Sequence, residues 1–398
     1  MAIVIDINSI LNGPKAGVAY YLEGWLGAVV PWMKENKKEV VFYSSGWGGR
    51  DYPLWLSVLA KRHGVKRFHL PWPNKLITLL MIVFQHPKLD LLVEKKLSLT
   101  VDWFIATNFS HWAVKKARVS QIVHDLSLEI YPEFFPLKWR LSYYLINPFG
   151  SHTRPVGIIN SFMRMLVRII RLFTSAKHLP DHYIAVSEST KSQMAERWGI
   201  DDTKITVCLP ILPELLPAGT KLNPYRYWLS VGTIEPRKNL LLILQALEQY
   251  WHNHPIDNRH WVIVGGWGWK HKPFRKALAK SPYHDRIHVI GYVTEQERAD
   301  WYSGADGLLQ GSVYEGIGIP PLEAQGYGIP VVSSDAGSLA EMLGQSAVFA
   351  SRTEATSWIR ALELLDDVVI RERLVLSGKE NYQRFRSTKW LESLSWII

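Results

Sequence analysis

Residues 227–251, YWLSVGTIEPRKNLLLILQALEQYW, predict a strand, a loop and a helix in succession. The stretch starts with a short apolar run of the kind found in buried strands, and NLLLILQALEQYW then has the length and composition of a helix. The rest of the second half repeats this alternation, with strand-like runs at HWVIVGG, RIHVIGYV, DGLLQGS and IPVVSSD. Parallel sheets covered by helices on both faces have this pattern.

The first half of the chain follows the same alternation. Its strand-like runs are AIVIDIN, EVVFYSS, DWFIATNF, SQIVHDL, HYIAVSES and KITVCLP. The pattern stops at residues 209–224, LPILPELLPAGTKLNP, whose four prolines and one glycine suit neither a helix nor a central strand. Because 398 residues exceed the usual size of one hydrophobic core, we predict an α/β fold of two Rossmann-like, doubly wound domains. Their ligand is expected in the cleft outside the carboxyl ends of the strands.

Composition narrows the possible partners. A formal net charge of +10 indicates an anionic partner, which can be nucleic acid, a membrane surface or a phosphorylated substrate. The single cysteine, Cys208, excludes a disulfide framework and a cysteine-based zinc site, and it suits a reducing cytosol. MAIVIDIN lacks the features of a signal peptide, and the apolar run at residues 76–84 is far shorter than a spanning helix of roughly 20 residues. We therefore expect a cytoplasmic protein that does not cross a bilayer.

The loop of the opening stretch carries two adjacent cations. Arg237 and Lys238 stand directly before Asn239, a residue type that favours the N-cap of a helix. Beside a helix N-terminus, the planar fork of Arg and the point charge of Lys can clamp a diphosphate. The alternative is a solvated basic turn.

Residues 312–332, SVYEGIGIPPLEAQGYGIPVV, place Glu315 and Glu323 on either side of a glycine- and proline-rich turn. Gly316 and Gly318 allow the backbone to approach a ligand closely, and the prolines that follow suit the first turn of a helix. The helix would begin beside Glu315, ready to bind phosphate, with Glu323 in about its first turn. Carboxylates accept hydrogen bonds from hydroxyl pairs, so this arrangement indicates a nucleotide sugar. The alternative is a turn residue followed by an acid that the helix dipole favours.

The two loops together resemble a known family. VGTIEPRKN and, about 80 residues later, YEGIGIPPLEAQGYGIPVVSSDAGSLAEMLG are similar to the donor-binding signature of the retaining glycosyltransferases of family 4, which have the GT-B fold. The resemblance implies that Arg237 and Lys238 bind the donor diphosphate. It also implies that Glu315 contacts the donor sugar and Glu323 the ribose hydroxyls. Ile317 stands where the family usually has Phe, which leaves backbone contacts possible but changes the local packing.

Further donor-binding residues follow from the same resemblance. Residues 291–293, GYV, are similar to the segment that holds the base. The donor-binding residues that we predict beside Arg237, Lys238, Glu315 and Glu323 are Gly17, Thr233, Tyr292, Val293, Gly316, Ile317, Gly318 and Ile319.

The resemblance reaches the first half and the end of the chain. INSILNGPKAGVAYYL is similar to the glycine loop and first helix that approach donor and acceptor, with Gly17 at the turn. IVHDLSLEIYPEFFP is similar to a segment of mannosyl- and rhamnosyl-transferring members, in which the position of His124 lies by the reaction centre. A histidine at a strand end can also be structural. The implied domains are an acceptor-binding domain at residues 1–213, a donor-binding domain at 214–378, and a C-terminal helix at 379–398 that crosses back to the first.

One stretch outside the resemblance is both basic and apolar. NSFMRMLVRIIRLFTSAK places Arg164, Arg168 and Arg171 at helical spacing among large apolar residues. It can be an amphipathic helix on an anionic membrane or a helix that packs in the core. The apolar run at residues 75–84 and the tryptophans of the first half favour membrane contact. Nucleic acid is disfavoured because no nucleic-acid-reading motif accompanies the charge.

The resemblance implies a retaining glycosyltransferase. We expect it to need no cofactor and no metal, since D-x-D and H-E-x-x-H elements are missing from the sequence. Arg237, Lys238 and the helix N-termini would neutralise the departing nucleoside diphosphate. We predict GDP-mannose as donor, with UDP- and dTDP-sugars as alternatives, and a lipid-linked or lipopolysaccharide-type glycan as acceptor at the inner face of the cytoplasmic membrane. The predicted catalytic set is His124, Arg237, Lys238 and Glu315, without a protein nucleophile. A sugar-nucleotide epimerase and a catalytically silent glycan-binding subunit are the alternatives.

Overall fold

A computed structural model describes residues 1–11, 17–47, 51–110, 112–147, 179–219 and 225–398. The chain forms two compact domains. The first comprises Met1–Pro132, Leu137–Ile211 and Thr388–Ile398, and the second comprises Glu133–Pro136 and Leu212–Ser387. Across these described ranges, no helix combines the length and the apolar character needed to cross a bilayer.

The first domain is built on a seven-stranded parallel sheet with strand order β3-β2-β1-β4-β5-β6-β7. Its strands are β1 Ala2–Asp6, β2 Glu39–Ser45, β3 Lys66–Leu70, β4 Val101–Ala106, β5 Arg118–Val123, β6 His182–Ala185 and β7 Ile205–Val207. Its helices are α1 Asn8–Leu11, α2 Gly17–Glu35, α3 Leu54–Arg62, α4 Asn74–Phe84, α5 Leu89–Leu97, α6 Ser127–Ile130, α7 Leu137–Ile146 and α8 Glu188–Trp198.

The second domain is built on a six-stranded parallel sheet with strand order β10-β9-β8-β11-β12-β13. Its strands are β8 Tyr227–Val231, β9 His260–Val264, β10 Ile287–Gly291, β11 Gly307–Gln310, β12 Val331–Ser334 and β13 Val348–Ala350. Its helices are α9 Leu240–Asn253, α10 Lys272–Leu278, α11 Glu295–Ser303, α12 Ile319–Gly326, α13 Leu339–Leu343, α14 Ala355–Leu364 and α15 Val368–Arg384.

The central strands of both sheets are buried on both faces. All five residues of β1 and the first four of β8 are buried, as expected for strands that helices cover from both sides. The predicted doubly wound α/β fold is therefore confirmed in each domain. Two strands that the sequence did not predict, β3 and β13, lie at sheet edges.

Each sheet has one point at which the chain reverses its direction of winding. It lies between β1 and β4 in the first domain and between β8 and β11 in the second. Loops that follow the two central strands of a doubly wound sheet diverge at this point and leave a crevice for a ligand. The loops that carry Lys238 and Glu315 follow β8 and β11.

The last residues of the chain return to the first domain from Thr388 onward, whereas the resemblance implied a return from residue 379. Helix α15 stays in the second domain because Leu374 and Tyr382 are buried there. The returning segment is a 3-10 helix, Lys389–Ile397. Its Trp396 ring lies 4.7 Å from Trp103 and 3.9 Å from His182, measured between ring centroids.

Candidate functional site

The loop after β8 places the two predicted cations at the carboxyl edge of the second sheet. Arg237 and Lys238 lie in one 3-10 turn, Pro236–Lys238, directly before α9. Asn239 occupies the N-cap position in the left-handed conformation, with φ of 56°, and its side chain makes no capping hydrogen bond. The amide of Asn239 donates instead to the carbonyl oxygen of Arg352 at 3.0 Å. The predicted N-cap position is confirmed, but the left-handed backbone turns the Asn239 side chain toward another loop, so it does not bond to the helix N-terminus.

The loop after β11 leads into α12 through a glycine that the packing requires. Gly318 has φ of +86°, and a Cβ atom there would lie 2.4 Å from Cδ2 of Leu339. Such a φ and such a contact exclude most side chains. The prolines that follow occupy the first turn of α12, as predicted.

The two loops meet because β8 and β11 are hydrogen-bonded neighbours. Lys238 Nζ donates to Glu315 Oε1 at 2.6 Å, and Arg237 Nη1 donates to Glu315 Oε2 at 2.9 Å. Arg237 Nη1 also donates to the carbonyl oxygen of Tyr314 at 3.2 Å. One buried carboxylate therefore holds both predicted cations.

Three further side chains complete this arrangement, which we call the Glu315 cluster. Gln310 Nε2 and Ser312 Oγ donate to Glu315 Oε1 at 3.0 and 2.7 Å. Glu235 accepts from Arg237 Nε and Nη2 at 3.2 and 2.9 Å. The cluster consists of Glu235, Arg237, Lys238, Gln310, Ser312 and Glu315.

The pKa values of the two acids of the cluster shift in opposite directions. Burial by itself raises the pKa of Glu315, but Arg237, Lys238 and the hydrogen bonds outweigh it and lower that pKa to about 2. Burial raises the pKa of Glu235 above its usual value, although Arg237 opposes the shift. Glu315 is therefore ionised near neutral pH, where it accepts hydrogen bonds and has no proton to donate.

The backbone of Glu315 is held from the other side by a close chain crossing. Ser338 donates from its backbone N to the carbonyl oxygen of Glu315 at 3.0 Å, and from its hydroxyl at 3.1 Å. Gly337 has φ of +62°, and a Cβ atom there would lie 2.3 Å from that same oxygen. Only glycine permits this crossing, which fixes where the Glu315 side chain begins.

Lys238 retains capacity to bind an anion. Among the described residues its ammonium has one hydrogen-bond partner, Glu315, and an ammonium has three N–H donors. The side chain also lines a small cavity, with Gly232, Leu240 and Gly311 among its other walls. A Cβ atom at Gly232 would lie 3.2 Å from Lys238 Cε, so a larger residue there would press on the lysine.

The second predicted acid lies in a different environment. Glu323 is the fifth residue of α12, in its second turn, whereas the sequence placed it in about the first turn. Its carboxylate is buried and accepts from the hydroxyl of Tyr302 at 2.8 Å. Arg298 Nη2 lies 3.2 Å from its other oxygen. Both of these partners come from α11, whereas the side chains that bind Glu315 come from residues 237–238 and 310–312.

The remaining predicted donor-binding residues of the second domain lie around these loops. Thr233 and Val293 are half-buried, and Tyr292 is exposed beside Gly266, at which a Cβ atom would overlap the tyrosine ring. Ile317 is buried, so an aliphatic side chain fills the position where the resembling family usually has Phe. Two more residues, Gly316 and Ile319, are buried in the loop and at the start of α12.

Two predicted residues lie in the first domain. His124 follows β5, and its Nε2 lies 2.8 Å from the carbonyl oxygen of Thr107, the residue after β4. Burial lowers the pKa of His124, although Thr107 and Asp125 oppose the shift. Gly17 is the first residue of α2, and a Cβ atom there would meet nothing within 4 Å. Residues 12–16 before it lie outside the described residues, so the turn at Gly17 stays a prediction.

Two other predictions, the membrane contact of three arginines and the metal-independent reaction, are not tested by the structure. Arg164, Arg168 and Arg171 lie outside the described residues. Within the described ranges, His, Cys, Asp and Glu side chains form no group of three or more that could hold a metal ion. The metal-independent reaction stays a prediction.

Sequence reasoning missed the residues that organise the two acids. Glu235, Gln310 and Ser312 bind within the Glu315 cluster, and Arg298 and Tyr302 bind Glu323. Gln310 and Ser312 could have been found from the run DGLLQGS, because polar residues at the end of a buried strand point to a site at its carboxyl end.

Comparison with known proteins finds a family match within the second domain. Residues 215–380 match the family described as glycosyl transferases group 1. O-antigen chain mannosyltransferase B of Escherichia coli is 28% identical over 268 residues, which cover 66% of this chain and 65% of that protein. O-antigen chain mannosyltransferase RfbU of Salmonella typhimurium is 27% identical over 223 residues, which cover 55% of this chain and 61% of that protein. The chain thus matches somewhat less than two thirds of the length of these curated relatives.

The fold is shared with solved structures along the whole chain. Sucrose-phosphate synthase from Thermosynechococcus elongatus superposes with a TM-score of 0.66 at 15% identity, over 100% of this chain and 98% of the other. Residues 215–380 thus match the glycosyl transferases group 1, the two α/β domains have the GT-B fold, and the chain resembles bacterial O-antigen mannosyltransferases.

Proposed function

We propose that this protein is a retaining glycosyltransferase that transfers mannose from GDP-mannose to a hydroxyl of a lipid-linked or surface-polysaccharide glycan. The observation that carries the proposal is the Glu315 cluster, which gathers Arg237 and Lys238 at the point where the second sheet reverses its winding. The cluster lies within the matched family region. The similarity to two O-antigen mannosyltransferases supports mannose and a surface polysaccharide.

The cations of the cluster suit a diphosphate leaving group. As the bond between the anomeric carbon and the phosphate oxygen breaks, negative charge collects on the diphosphate. Lys238 and Arg237 lie where they can neutralise it, and positioned cations lower the barrier to a reaction that develops such charge. The N-terminus of α12 adds backbone N–H groups that favour an anion.

The carboxylates suit hydroxyl groups of the donor. Glu315 is ionised and held by four donors, so in our proposal it accepts a hydrogen bond from the donor sugar. Glu323 accepts from a ribose hydroxyl in addition to Tyr302 and Arg298, since a carboxylate has about four lone-pair sites. Neither acid acts as a nucleophile. The acceptor oxygen forms its bond on the face from which the diphosphate leaves, and the departing phosphate oxygen takes the acceptor proton.

The remaining parts of the proposal concern the first domain and the location of the reaction. His124 positions a substrate by hydrogen bonding and does not relay a proton as an imidazolium, which its lowered pKa disfavours. The enzyme works at the inner face of the cytoplasmic membrane without a metal ion. Arg164, Arg168 and Arg171 contribute to membrane contact, and flotation with liposomes should fall when all three are replaced by Gln. Unchanged flotation would remove these three arginines from the proposal.

The central experiment is a screen of nucleotides against thermal unfolding. GDP, UDP and dTDP are each added to the wild type. A ligand present at 100 times its Kd stabilises the folded protein by about 2.7 kcal/mol, and GDP is expected to raise the Tm most. Arg237→Ala and Glu323→Ala should lose most of that shift. Arg360→Ala, an exposed arginine on α14 of the same domain, is the matched control and should keep it.

The same preparation is then tested for turnover of nucleotide sugars. Slow hydrolysis of GDP-mannose without acceptor, and transfer when acceptor is present, are the expected results. Isomerisation of the donor without acceptor would indicate an epimerase instead. If no nucleotide raises the Tm of the wild type, the protein is not the transferase proposed here.

A further inference from the structure

Helix α4 in the first domain leaves large apolar side chains exposed. Trp72 precedes the helix with 44% of its surface accessible, Leu76 and Leu79 are 45% and 55% accessible, and Phe84 at the end is 63% accessible. The helix attaches to the domain through Ile77 and Met81, which are buried in the core cluster. We call the four exposed side chains the α4 patch. A soluble surface scatters such residues singly, so four of them within 13 positions indicate an interaction site.

The charge around the α4 patch is strongly positive. Residues 66–97 contain six Lys and Arg and two Asp and Glu, a net charge of +4 within 32 residues. Both acids are turned toward the backbone. Asp90 accepts from the backbone N atoms of residues 115–117, and Glu94 accepts from the backbone N of Val101 at 3.1 Å. The exposed charge of this region is therefore carried by its cations.

Several of those cations lie on β3 and α5, the elements that precede and follow α4 in the chain. The ammonium of Lys96 lies 5.5 Å from the ring centroid of Phe68, and Phe68 packs in the same core cluster as Ile77 and Met81. Lys66 is exposed on β3, the edge strand of the sheet, and Lys95 is exposed in the last turn of α5. Exposed apolar side chains and exposed lysines are thus carried by three successive elements of the first domain, β3, α4 and α5.

We propose that the α4 patch and the lysines of β3 and α5 dock the first domain onto a membrane surface rich in anionic lipid. Exposed leucine and phenylalanine side chains enter the boundary between headgroups and acyl chains, and tryptophan favours that boundary. Lysines bind the lipid phosphates while their alkyl stems cover apolar surface. This inference deepens the proposed function, in that it names the surface which would hold the enzyme near a lipid-linked acceptor.

The test uses the full chain and flotation with vesicles of two compositions. One contains phosphatidylglycerol and phosphatidylethanolamine, and the other contains phosphatidylcholine alone. The wild type should float with the anionic vesicles and bind the neutral ones at least tenfold more weakly, since each surface lysine contributes about fivefold. Equal flotation with both compositions would contradict the role of the lysines.

Two variants separate the apolar and the charged contributions. Leu76→Ser with Leu79→Ser should lower the partition coefficient on anionic vesicles by about tenfold or more, because the half-exposed leucines would no longer enter the bilayer. Lys66→Gln with Lys95→Gln should weaken binding to anionic vesicles and leave binding to phosphatidylcholine unchanged.

Matched controls come from exposed residues of the second domain. Val368→Ser with Val369→Ser removes apolar side chains that are 65% and 75% accessible, and Lys276→Gln with Lys280→Gln removes two exposed lysines. Both controls should float like the wild type. Every variant is also tested for its thermal midpoint and for its shift with GDP, so that misfolding or failure of nucleotide binding is seen separately from loss of flotation.

Three results would overturn the proposal. These are a wild type that stays away from anionic vesicles, patch variants that float like the wild type, and controls that lose flotation as far as the patch variants do. The first result would leave another protein as the occupant of the patch.

Discussion

Replacing Glu315 by Gln should make the protein less stable and yet increase its affinity for a nucleoside diphosphate. In the wild type the Glu315 cluster holds two acids, Glu235 and Glu315, against two cations, Arg237 and Lys238. Its net charge is near zero when both acids are ionised. Glu315→Gln raises that charge by one and leaves two half-buried cations without their shared carboxylate.

The cost in stability follows from the pKa of Glu315. The folded protein lowers that pKa from the ordinary 4.5 to about 2, and one pKa unit corresponds to about 1.4 kcal/mol. The ionised carboxylate therefore contributes on the order of 3 kcal/mol to the free energy of unfolding. This contribution is complete above about pH 4.5 and is lost as the pH falls toward 2. The variant should be less stable than the wild type by about 3 kcal/mol at pH 7, and the difference should shrink below pH 4.5.

Nucleotide binding should change in the opposite direction. A diphosphate would take over the hydrogen bonds that Arg237 and Lys238 give to Glu315 in the wild type, and each charge-assisted bond contributes about 1.5–3 kcal/mol. GDP should therefore bind the variant about tenfold or more tightly than it binds the wild type. GDP-mannose should gain less, since the variant lacks the carboxylate that we assign to the donor sugar. Transfer should be abolished.

Urea unfolding between pH 3 and pH 8 measures the stability, and calorimetric titration measures both affinities. Glu363→Gln is the matched control, because its side chain is 45% exposed and its nearest cationic partner is His254 at 3.6 Å. That control should leave stability and affinities near the wild-type values. Weaker binding of GDP to Glu315→Gln, or an unchanged free energy of unfolding at pH 7, would refute the electrostatic account of the cluster.

Three further outcomes are expected. Arg298→Ala should leave the Glu323 carboxylate free to move. The ratio of the affinity for GDP to the affinity for 2′,3′-dideoxy-GDP should then fall toward one, while the affinity for pyrophosphate is retained; an unchanged ratio would contradict a positioning role. Gly337→Ala should lower the free energy of unfolding by more than 2 kcal/mol in urea, because its Cβ would overlap a backbone oxygen. Gly199→Ala, at a left-handed glycine with φ of +64° where a Cβ atom would meet nothing within 4 Å, should cost about 1 kcal/mol, and equal costs would refute the crossing argument. Because burial lowers the pKa of His124, the transfer rate should show no step from this group between pH 6.5 and 8; a step that His124→Gln removes would contradict it.

The fold was predictable where the sequence pattern is continuous. Central strands such as β1 and β8 are short apolar runs bounded by polar loops, and these runs were found. Two of the four edge strands, β3 and β13, escaped prediction for a physical reason. β3 has the sequence KRFHL, because one of its sides faces solvent and admits charge, and β13 has three residues.

The site was predictable in its residue types but not in its connections. The sequence singled out Arg237, Lys238 and Glu315 from the chemistry of their loops. It gave no indication that one carboxylate would bind both cations, since that contact joins residues 77 and 78 positions apart. The order of strands in the sheet creates the contact, and a linear pattern does not encode that order. The same limit hid Arg298, which reaches Glu323 from another helix.

The return of Thr388–Ile398 to the first domain has a consequence for synthesis on the ribosome. Leu394 and Ile397 are buried there, and Trp396 stacks against residues of β4 and β6. The ribosome therefore completes the second domain before it makes the last segment of the first domain. Until the C-terminal segment is made, the site that buries Leu394 and Ile397 stays uncovered on the newly made first domain. About 180 further residues must be added first, which takes roughly 10–40 s at ordinary rates of synthesis. During that interval the uncovered site is a natural place for a chaperone to bind.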